Sequence, residues 1–208
     1  MSEFLTIDTT QGIFKEERIE PLALYDEYHP ALKMKLEEYN TPLPNTPLET
    51  LIKRMVMTMK LYGGIGLSAN QCGFKHRVFV MGAGEEYVAF FNPKVVKTEG
   101  EKHMEEGCLS FPFLGLHITR PAEIWVEYQD FNGEKREAHF SGITARCFLH
   151  ELDHMNGIVY TSRAKPLALK MSMKKRQKYI NLIHKQQRAV VNKQKRSEEH
   201  TSELQSHL

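Results

Sequence analysis

Apolar residues recur every three or four positions in two stretches of the chain, and this period predicts two main helices. The first stretch, residues 46–64, has Thr46 as a capping residue and two glycines at its end. The second, GITARCFLHELDHMNG at residues 142–157, ends at Gly157, a residue type that commonly closes a helix. A basic stretch at residues 174–191 predicts a third helix near the end of the chain.

Between the two main helices the apolar runs are short or alternating, as is typical of strands. They are RVFVM, YVAFFNP, KVVKT, EIWVEYQDF and REAHFS. Asn132 and Gly133 lie between the last two runs and predict a tight two-residue hairpin. Together these elements predict an α+β fold, with antiparallel sheets packed around a central helix that carries HELDH, an N-terminal helix and a C-terminal basic helix.

The composition is that of one globular core with appendages. The chain has 208 residues, of which 41% are hydrophobic, and it contains no apolar run of the ~18 residues that a membrane span needs. The N-terminal segment mixes acids and bases and lacks the apolar stretch of a secretory signal. Three cysteines at wide spacings argue against a disulfide framework. We therefore expect a cytoplasmic protein without a membrane partner. Bacterial, phage and organellar sources all stay open, and the short N-terminus without an evident transit peptide favours a bacterium or a phage-infected bacterial cell.

The basic residues are concentrated near the C-terminus. Twelve Lys and Arg residues and no Asp or Glu lie between Arg163 and Arg196, so the overall charge of +2 leaves −10 on the rest of the chain. A solvated helix face explains such a run without any partner, and contact with nucleic acid is the alternative interpretation. Residues 196–208, RSEEHTSELQSHL, resemble the translation of a sequencing-adapter oligonucleotide, and we interpret them as an assembly artefact.

The most informative motif is HELDH, at residues 150–154. His150 and His154 are four positions apart, so on a helix they face the same side and both can bind one metal ion. Glu151 lies on a neighbouring face, from which its carboxylate can reach a water molecule at the ion without binding the ion itself. The motif is short enough to occur by chance in an ordinary helix, and a third ligand is needed to decide.

The usual downstream third ligands are missing. Tyr160 occupies the position at which metzincin peptidases carry a third histidine, and no Asp or Glu follows between Met155 and Arg196. Cys108, in EEGCLSFP, is the best upstream candidate, because it lies beside a glycine in a turn-like break between extended segments. Cys147 is a competing candidate, but its apolar neighbours favour a core cysteine, and a disulfide between Cys108 and Cys147 is a further alternative.

Three motifs occur in the same order as in the peptide deformylase family, which the chain therefore resembles. They are GIGLSANQ at residues 64–71, EGCLS at residues 106–110 and HELDH at residues 150–154. The resemblance extends over residues 22–165. Two positions of the first motif differ from the usual pattern: Ser68 replaces the common alanine, and Asn70 replaces the common proline or threonine. Both changes are small, and they leave the glutamine that ends the motif in place.

The resemblance implies a metal-dependent hydrolase that removes the N-terminal formyl group from formyl-methionine of newly synthesised polypeptides and releases formate. The implied metal ligands are Cys108, His150 and His154. Glu151 is implied as the general acid and base, and Gln71 and the backbone N–H of Leu109 as donors to the oxyanion.

The family also implies where a substrate binds. Gly64 and Gly66 let the loop backbone approach a peptide closely, so an extended substrate could pair with this loop as an added strand. The implied pocket for the methionine side chain consists of Ile65, Ile143 and Cys147, with Arg146 at its rim.

The resemblance implies one divalent metal ion, with Fe²⁺ as the active metal and Zn²⁺, Ni²⁺ or Co²⁺ as substitutes. A Cys/His/His donor set suits all four ions, and affinity alone favours zinc over iron. Near the ligands, Arg120 could pair with Glu106 and hold the cysteine loop, although an exposed and weak ion pair is an equal alternative.

We predict three segments: a deformylase catalytic domain at residues 1–165, a basic helical extension at 166–195 and the artefact tail at 196–208. The predicted partners are N-formylmethionyl nascent peptides and, through the basic helix, the ribosome. Three alternatives stay open. The chain could be an HExxH metallopeptidase with a cysteine ligand, or a non-catalytic relative that binds formylated peptides or the ribosome. In the third, the basic helix is the functional part and the metal is only structural.

Overall fold

The computed structural model describes residues 19–40 and 47–206, with side chains described as far as residue 194. The α-helices in this part of the chain are α1 (Leu48–Leu61), α2 (Gly142–Met155) and α3 (Pro166–Ser206). The strands are β1 (Gly66–Ser68), β2 (Val78–Ala83), β3 (Glu86–Glu99), β4 (Lys102–Cys108), β5 (Phe111–Arg120), β6 (Glu123–Gln129) and β7 (Lys135–Ser141). Short 3₁₀ turns lie at Pro30–Lys33, Ala69–Cys72 and Tyr160–Arg163.

The strands form two antiparallel sheets. Five of them pair in the order β1-β2-β3-β6-β7, and β4 and β5 form a separate two-stranded sheet. Side chains of β2 alternate between the two faces of the large sheet: Val78 and Val80 pack towards α1, whereas Phe79 and Met81 pack towards α2. The large sheet therefore lies between the two main helices, and the predicted α+β class with antiparallel sheets is confirmed.

The predicted apolar faces of both helices are buried. On α1 the buried apolar residues are Leu51, Ile52, Met55, Val56 and Met59. On α2, Phe148 makes edge-to-face contacts with Phe79 and Phe90, with ring centroids 5.2 and 5.4 Å apart. Each such side chain contributes about 1.5–3 kcal/mol by leaving water, so the two helices are held chiefly by these faces.

Both main helices end just before a glycine, as the sequence predicts. The backbone of Gly63, just after α1, has a φ of 69°, and that of Gly157, just after α2, has a φ of 71°. Both values lie in the left-handed region that glycine adopts without a steric cost. The predicted cap of α1, Thr46, lies outside the described residues, and Pro47 occupies the N-cap position.

The structure differs from the predicted strands in β3. The two apolar runs that flank Asn92 and Pro93 form a single strand, although its register with β6 shifts between Phe91 and Lys94. Asn92 has a φ of 49°, and its side chain bonds both the N–H and the C=O of Tyr39. The chain therefore continues as one strand through Asn92 and Pro93, with a local irregularity in its pairing to β6.

The β4–β5 hairpin was not predicted, and the β6–β7 loop is longer than predicted. KHMEEGC, the sequence of β4, is mostly polar and glycine-containing, so it shows little of a strand pattern. The last pair of the β6–β7 ladder is Gln129 with Lys135, so the loop spans residues 130–134 instead of the two predicted residues. The carboxylate of Asp130 accepts hydrogen bonds from the N–H groups of Asn132 and Glu134, which stabilises this wider turn.

The C-terminal helix α3 is anchored to the rest of the protein near its beginning. Arg176 donates hydrogen bonds to the C=O of Pro112, at 2.8 Å, and to the carboxylate of Glu27, while Tyr179 packs edge-on against Phe113. The helix runs without a break past residue 196, so the proposed segment boundaries at 166 and 196 stay predictions. Across the described residues, no helix is both long enough and apolar enough to span a membrane.

Candidate metal centre

Three side chains with metal-binding atoms meet between α2 and the β4–β5 hairpin. The Sγ atom of Cys108 and one ring nitrogen from each of His150 and His154 all lie within 4.8 Å of one another. The distance from Sγ of Cys108 to Nε2 of His154 is 3.3 Å. Both histidines are buried and Cys108 is half-buried. The fold therefore brings the three predicted ligands together.

Local structure explains how the ligands meet. The helix α2 presents His150 and His154 one turn apart on one face. Cys108 is the last residue of β4, and the register of the hairpin shifts between Glu106 and Cys108, just before the turn into β5. The cysteine thus lies at the closed end of the hairpin, beside the histidines of α2.

The donor set fits a divalent transition metal. A thiolate and two imidazoles suit Zn²⁺ and Fe²⁺ alike. Nδ1 of His150 lies 3.1 Å from Oε2 of Glu106, and because an ionised carboxylate can only accept, Nδ1 carries the proton and Nε2 is left as the metal-binding atom. Within the described residues the group has three protein donors, whereas a structural zinc site normally has four.

Behind this group, Glu106 is the centre of a buried ion-pair cluster. Arg120 donates from Nε and Nη2 to its two oxygens, at 2.6 and 2.9 Å, and Arg146 donates from Nη1 to Oε1 at 2.7 Å. Glu106, Arg120 and Arg146 are each at most 5% exposed. The predicted pairing of Arg120 with Glu106 is therefore present, and the alternative of an exposed, weak pair is wrong.

The same cluster extends to a second carboxylate, Asp153. Nη1 of Arg120 donates to Oδ2 of Asp153 at 2.6 Å, and the guanidinium of Arg163 bonds both oxygens of the same carboxylate. Sequence reasoning missed this residue, although it lies inside HELDH. Its position one residue before His154 was the only local signal, because both of its partners come from other elements.

The pKa values of Glu106 and Glu151 are shifted in opposite directions. Burial alone would raise the pKa of Glu106, but hydrogen bonds from His150, Arg120 and Arg146 outweigh burial and hold this pKa far below its usual range. For Glu151, burial is the dominant effect and raises the pKa, although the nearby His150 and a hydrogen bond from Ser68 oppose it. Glu106 is therefore held as an anion, whereas the raised pKa of Glu151 makes its carboxyl the better proton acceptor of the two.

The amide of Gln71 has two roles. Its Oε1 accepts a hydrogen bond from the N–H of Ser68 at 2.9 Å, which closes the loop after β1. Its Nε2 donates to Oγ of Ser110 at 3.1 Å and lies 3.6 Å from Sγ of Cys108. The loop-capping contact thus orients the amide so that its NH₂ group faces the metal-binding residues.

A cavity of about 650 Å³ opens beside the centre. Its walls include all the predicted oxyanion and pocket residues, namely Gly64, Ile65, Gly66, Gln71, Leu109, Ile143, Arg146 and Cys147, together with Glu151. Ile65 and Ile143 are 44% and 54% exposed, and they supply the apolar surface at the mouth.

One of the predicted wall residues, Arg146, differs from its expected surroundings, whereas Cys147 is buried as its apolar neighbours predict. Arg146 lies in the buried wall instead of at the rim, because its guanidinium also bonds the C=O groups of Lys102 and Ile118. Cys147 is buried and its thiol donates to the C=O of Ile65, while both Cys108 and Cys147 are free thiols. The alternative of a disulfide between these two cysteines is therefore wrong.

Comparison with known proteins decides the family. The family model described as polypeptide deformylase matches residues 21–170. The chain belongs to the polypeptide deformylase family. It is 42% identical over 130 residues to the peptide deformylase of Thermotoga neapolitana, an alignment that covers 62% of this chain and 79% of that protein.

Solved deformylase structures share the fold. The crystal structure of peptide deformylase from Thermotoga maritima matches with a TM-score of 0.66 and 37% identity, and covers 70% of this chain and 99% of that one. The peptide deformylase from Legionella pneumophila matches with a TM-score of 0.71 and 32% identity, and covers 79% of this chain and 98% of that one. The predicted family, fold and deformylase activity are confirmed, and the Cys/His/His group is consistent with that activity.

Within the deformylase fold, the residues that argued against a peptidase have structural explanations. The hydroxyl of Tyr160 donates to the C=O of Leu114 at 2.7 Å, and its ring centroid lies 5.4 Å from that of His150. Tyr160 is therefore a core residue that supports the metal centre.

The two residues that depart from the usual first motif, Ser68 and Asn70, both contact α2. Asn70 donates to the C=O of His154, and Ser68 bonds Glu151. Sequence reasoning treated both positions as neutral changes within a loop.

Proposed function

We propose that this enzyme hydrolyses the formyl amide of N-formylmethionyl nascent peptides, with Cys108, His150 and His154 holding one divalent metal ion and Glu151 moving the proton. The observation that supports this most strongly is a convergence at one cavity. Cys108 and His150 line this cavity, with His154 directly beside them, and so do Glu151, a buried carboxyl with a raised pKa, and Gln71, whose NH₂ group faces Cys108.

The bound ion would lower the pKa of a water molecule from ~16 towards ~7 and so supply a nucleophile at neutral pH. Cys108, His150 and His154 would hold it, and Glu106 would keep the ring of His150 oriented. We propose Fe²⁺ as the metal in the cell, as the family resemblance implies. Zn²⁺, Ni²⁺ and Co²⁺ are the proposed substitutes, because the Cys/His/His donor set accepts them as well.

Glu151 would take a proton from the attacking water and deliver it to the nitrogen of the leaving amine. Its raised pKa supports both steps, since burial makes the carboxyl a better proton acceptor than an exposed glutamate. Its place in the cavity wall also supports the role, because a substrate in the cavity would lie next to it.

Negative charge would develop on the formyl oxygen, where Nε2 of Gln71 and the N–H of Leu109 would donate hydrogen bonds. Each such donor contributes about 3–4 kcal/mol to stabilising the transition state. The bond from Ser68 N–H to Gln71 supports this role, because it orients the amide before the substrate arrives.

The peptide would bind along β1. This strand lies at the edge of the large sheet, and Gly64 and Gly66 leave room for a close backbone approach. The methionine side chain would enter the apolar space between Ile65, Ile143 and Cys147.

Formate release from a formylated methionyl tripeptide tests the reaction, with the free-amino tripeptide as the matched substrate. The enzyme is prepared anaerobically and its metal content is measured. We expect formate from the formylated peptide and no backbone cleavage of either peptide. Backbone cleavage would support the metallopeptidase alternative, and tight binding of the peptide without formate would support the non-catalytic one.

Substitutions separate the roles of the residues. Glu151→Ala should retain the metal and lose about 10³-fold or more in kcat, and full activity in this variant would contradict the mechanism. Cys108→Ala should lose the metal. Cys72→Ala is the matched control, because Cys72 is a buried cysteine in the core beside α1 and should leave metal content unchanged.

We also propose that the second half of α3 contacts ribosomal RNA. Beyond Tyr179 the helix carries exposed cations and no acid before Arg196, together with exposed apolar residues such as Leu182 and Val190. The test is co-sedimentation with ribosomes over a salt series. The variant replaces Lys185, Arg188 and Lys193 with glutamine, and the control replaces Lys33, Lys35 and Lys94, which are also exposed.

The triple variant on α3 should bind ribosomes more weakly and with a smaller salt dependence, whereas the control should match the wild type. Equal, salt-insensitive binding of all three proteins would rule the contact out. Substitution is preferred to truncation near residue 163, because Arg163 and Arg176 bond residues of the catalytic domain.

A further inference from the structure

Ser68 is a buried hydroxyl in direct contact with the proposed acid/base. It is the last residue of β1 and is fully buried. Its Oγ lies 2.8 Å from Oε2 of Glu151 and 3.1 Å from the backbone oxygen of the same residue. A hydroxyl has one proton to donate, and the carboxylate is both the nearer and the stronger acceptor, so the bond to Oε2 dominates.

This bond distinguishes the two oxygens of Glu151. Oε2 is held by Ser68, which does not line the cavity. Oε1 has no hydrogen bond from Ser68 and lies against Gly66, a residue of the cavity wall, where a Cβ would come within 2.5 Å of it. One oxygen of Glu151 is thus bound to the hydroxyl of Ser68, while the other lies next to a glycine that lines the cavity.

We propose that Ser68 is a positioning residue that anchors Oε2 of Glu151, so that Oε1 is the oxygen that exchanges a proton with the substrate. The terminal torsion of a glutamate is broad, and a carboxylate without an anchor samples many orientations. Anchoring one oxygen keeps the other aimed at the cavity before the reaction begins. Alanine at this position would have no group that could make this bond, so Ser68→Ala removes the anchor.

The proposal rests on the proposed function, and its test compares three variants. Ser68→Ala removes the anchor, and Ser68→Thr restores a hydroxyl. Thr58→Val is the matched control: Thr58 is an equally buried hydroxyl on α1 that accepts from the N–H of Leu22 at 2.7 Å and donates to the C=O of Arg54. The control loses a buried hydrogen bond of similar burial without touching the cavity.

For Ser68→Ala we expect kcat to fall about tenfold, KM and metal content to stay within twofold of the wild type, and the solvent deuterium isotope effect on kcat to increase. In a crystal structure of this variant, the carboxylate of Glu151 should leave its wild-type orientation or occupy more than one. Ser68→Thr should recover at least half of the lost kcat. Thr58→Val should lose thermal stability to a similar extent and keep its kcat and isotope effect.

Two results would overturn the proposal. One is a kcat and an isotope effect for Ser68→Ala that match those of the wild type, with the carboxylate of Glu151 unmoved. The other is a parallel loss of kcat in Ser68→Ala and Thr58→Val, which would indicate a general stability effect. A wild-type enzyme that releases no formate would instead contradict the proposed function, so the two failures are distinguishable.

Discussion

Replacing Gly66 with alanine should place a methyl group where the site has no room. A Cβ at this position would lie 2.5 Å from Oε1 of Glu151 and 2.6 Å from Sγ of Cys147. Comfortable contacts of a carbon atom begin at about 3.5 Å, so the strand or the two side chains must move by about 1 Å. Both neighbours are buried on α2 and have little freedom to yield.

Overpacking of this kind costs about 1–3 kcal/mol of stability, and a displacement of about 1 Å at a catalytic group costs about 10²-fold in rate. We therefore expect Gly66→Ala to fold and to bind metal with wild-type stoichiometry, while its kcat for formate release falls about 100-fold. The assay is release of formate from a formylated methionyl tripeptide, run beside metal analysis and thermal denaturation.

Gly107→Ala is the control, because no atom lies within 4 Å of a Cβ built at this glycine, and its backbone φ is not positive. It adds the same methyl group near the same centre, and its loss of kcat should stay below about threefold. If Gly66→Ala turned over within about threefold of the wild type, with Glu151 in its original position, the steric reasoning would be wrong.

Three further predictions follow from the buried charges and thiols. Arg120→Met should lower the free energy of unfolding of the metal-free protein by about 3–5 kcal/mol in urea denaturation, because the buried carboxylates of Glu106 and Asp153 lose their shared partner. A loss below about 1 kcal/mol would contradict this. Iodoacetamide at pH 8 should label Cys108 in the folded, metal-free protein and spare Cys72 and Cys147. The reason is that burial raises the pKa of Cys72 to about 12 and that of Cys147 well above its usual value. Bound metal should protect Cys108 from the reagent, and rapid labelling of Cys72 would contradict the prediction. Because the folded pKa of Glu106 is lowered, its carboxylate stabilises the fold above its unfolded pKa of ~4.3, and this stabilisation is lost as the pH falls towards the folded pKa. Glu106→Gln should therefore make the free energy of unfolding, measured from pH 3 to 7, fall less steeply on the acid side.

The chemistry of the site was predictable where it depends on spacing within one element. His150 and His154 are four residues apart on a helix, so their sequence spacing already determines that they share a face. The ends of α1 and α2 were also predictable, because Gly63 and Gly157 take the left-handed backbone that closes a helix. In these cases the cause is local, and the sequence contains all of it.

Several features that depend on partners from distant elements were not predicted. Asp153 gains its role from Arg120 on β5 and from Arg163 after α2, and no local pattern announces either partner. The hairpin of β4 and β5 escaped for a related reason: a polar strand is stabilised by the pairing itself and by the ion pairs of Glu106, not by an alternating apolar pattern. Ser68 looked like a neutral replacement, because its contact with Glu151 joins residues 83 positions apart.

The position of β1 at the edge of its sheet has a consequence for the breadth of sequences that the enzyme can process. In the described part of the chain β1 pairs with β2 on one side only, and a peptide on the other side would be held through backbone groups. Every residue except proline carries both an N–H and a C=O for such pairing. In the proposed binding mode, one strand edge and one apolar pocket would therefore accept the starts of very different proteins, and proline in the positions just after the methionine would be the residue tolerated least.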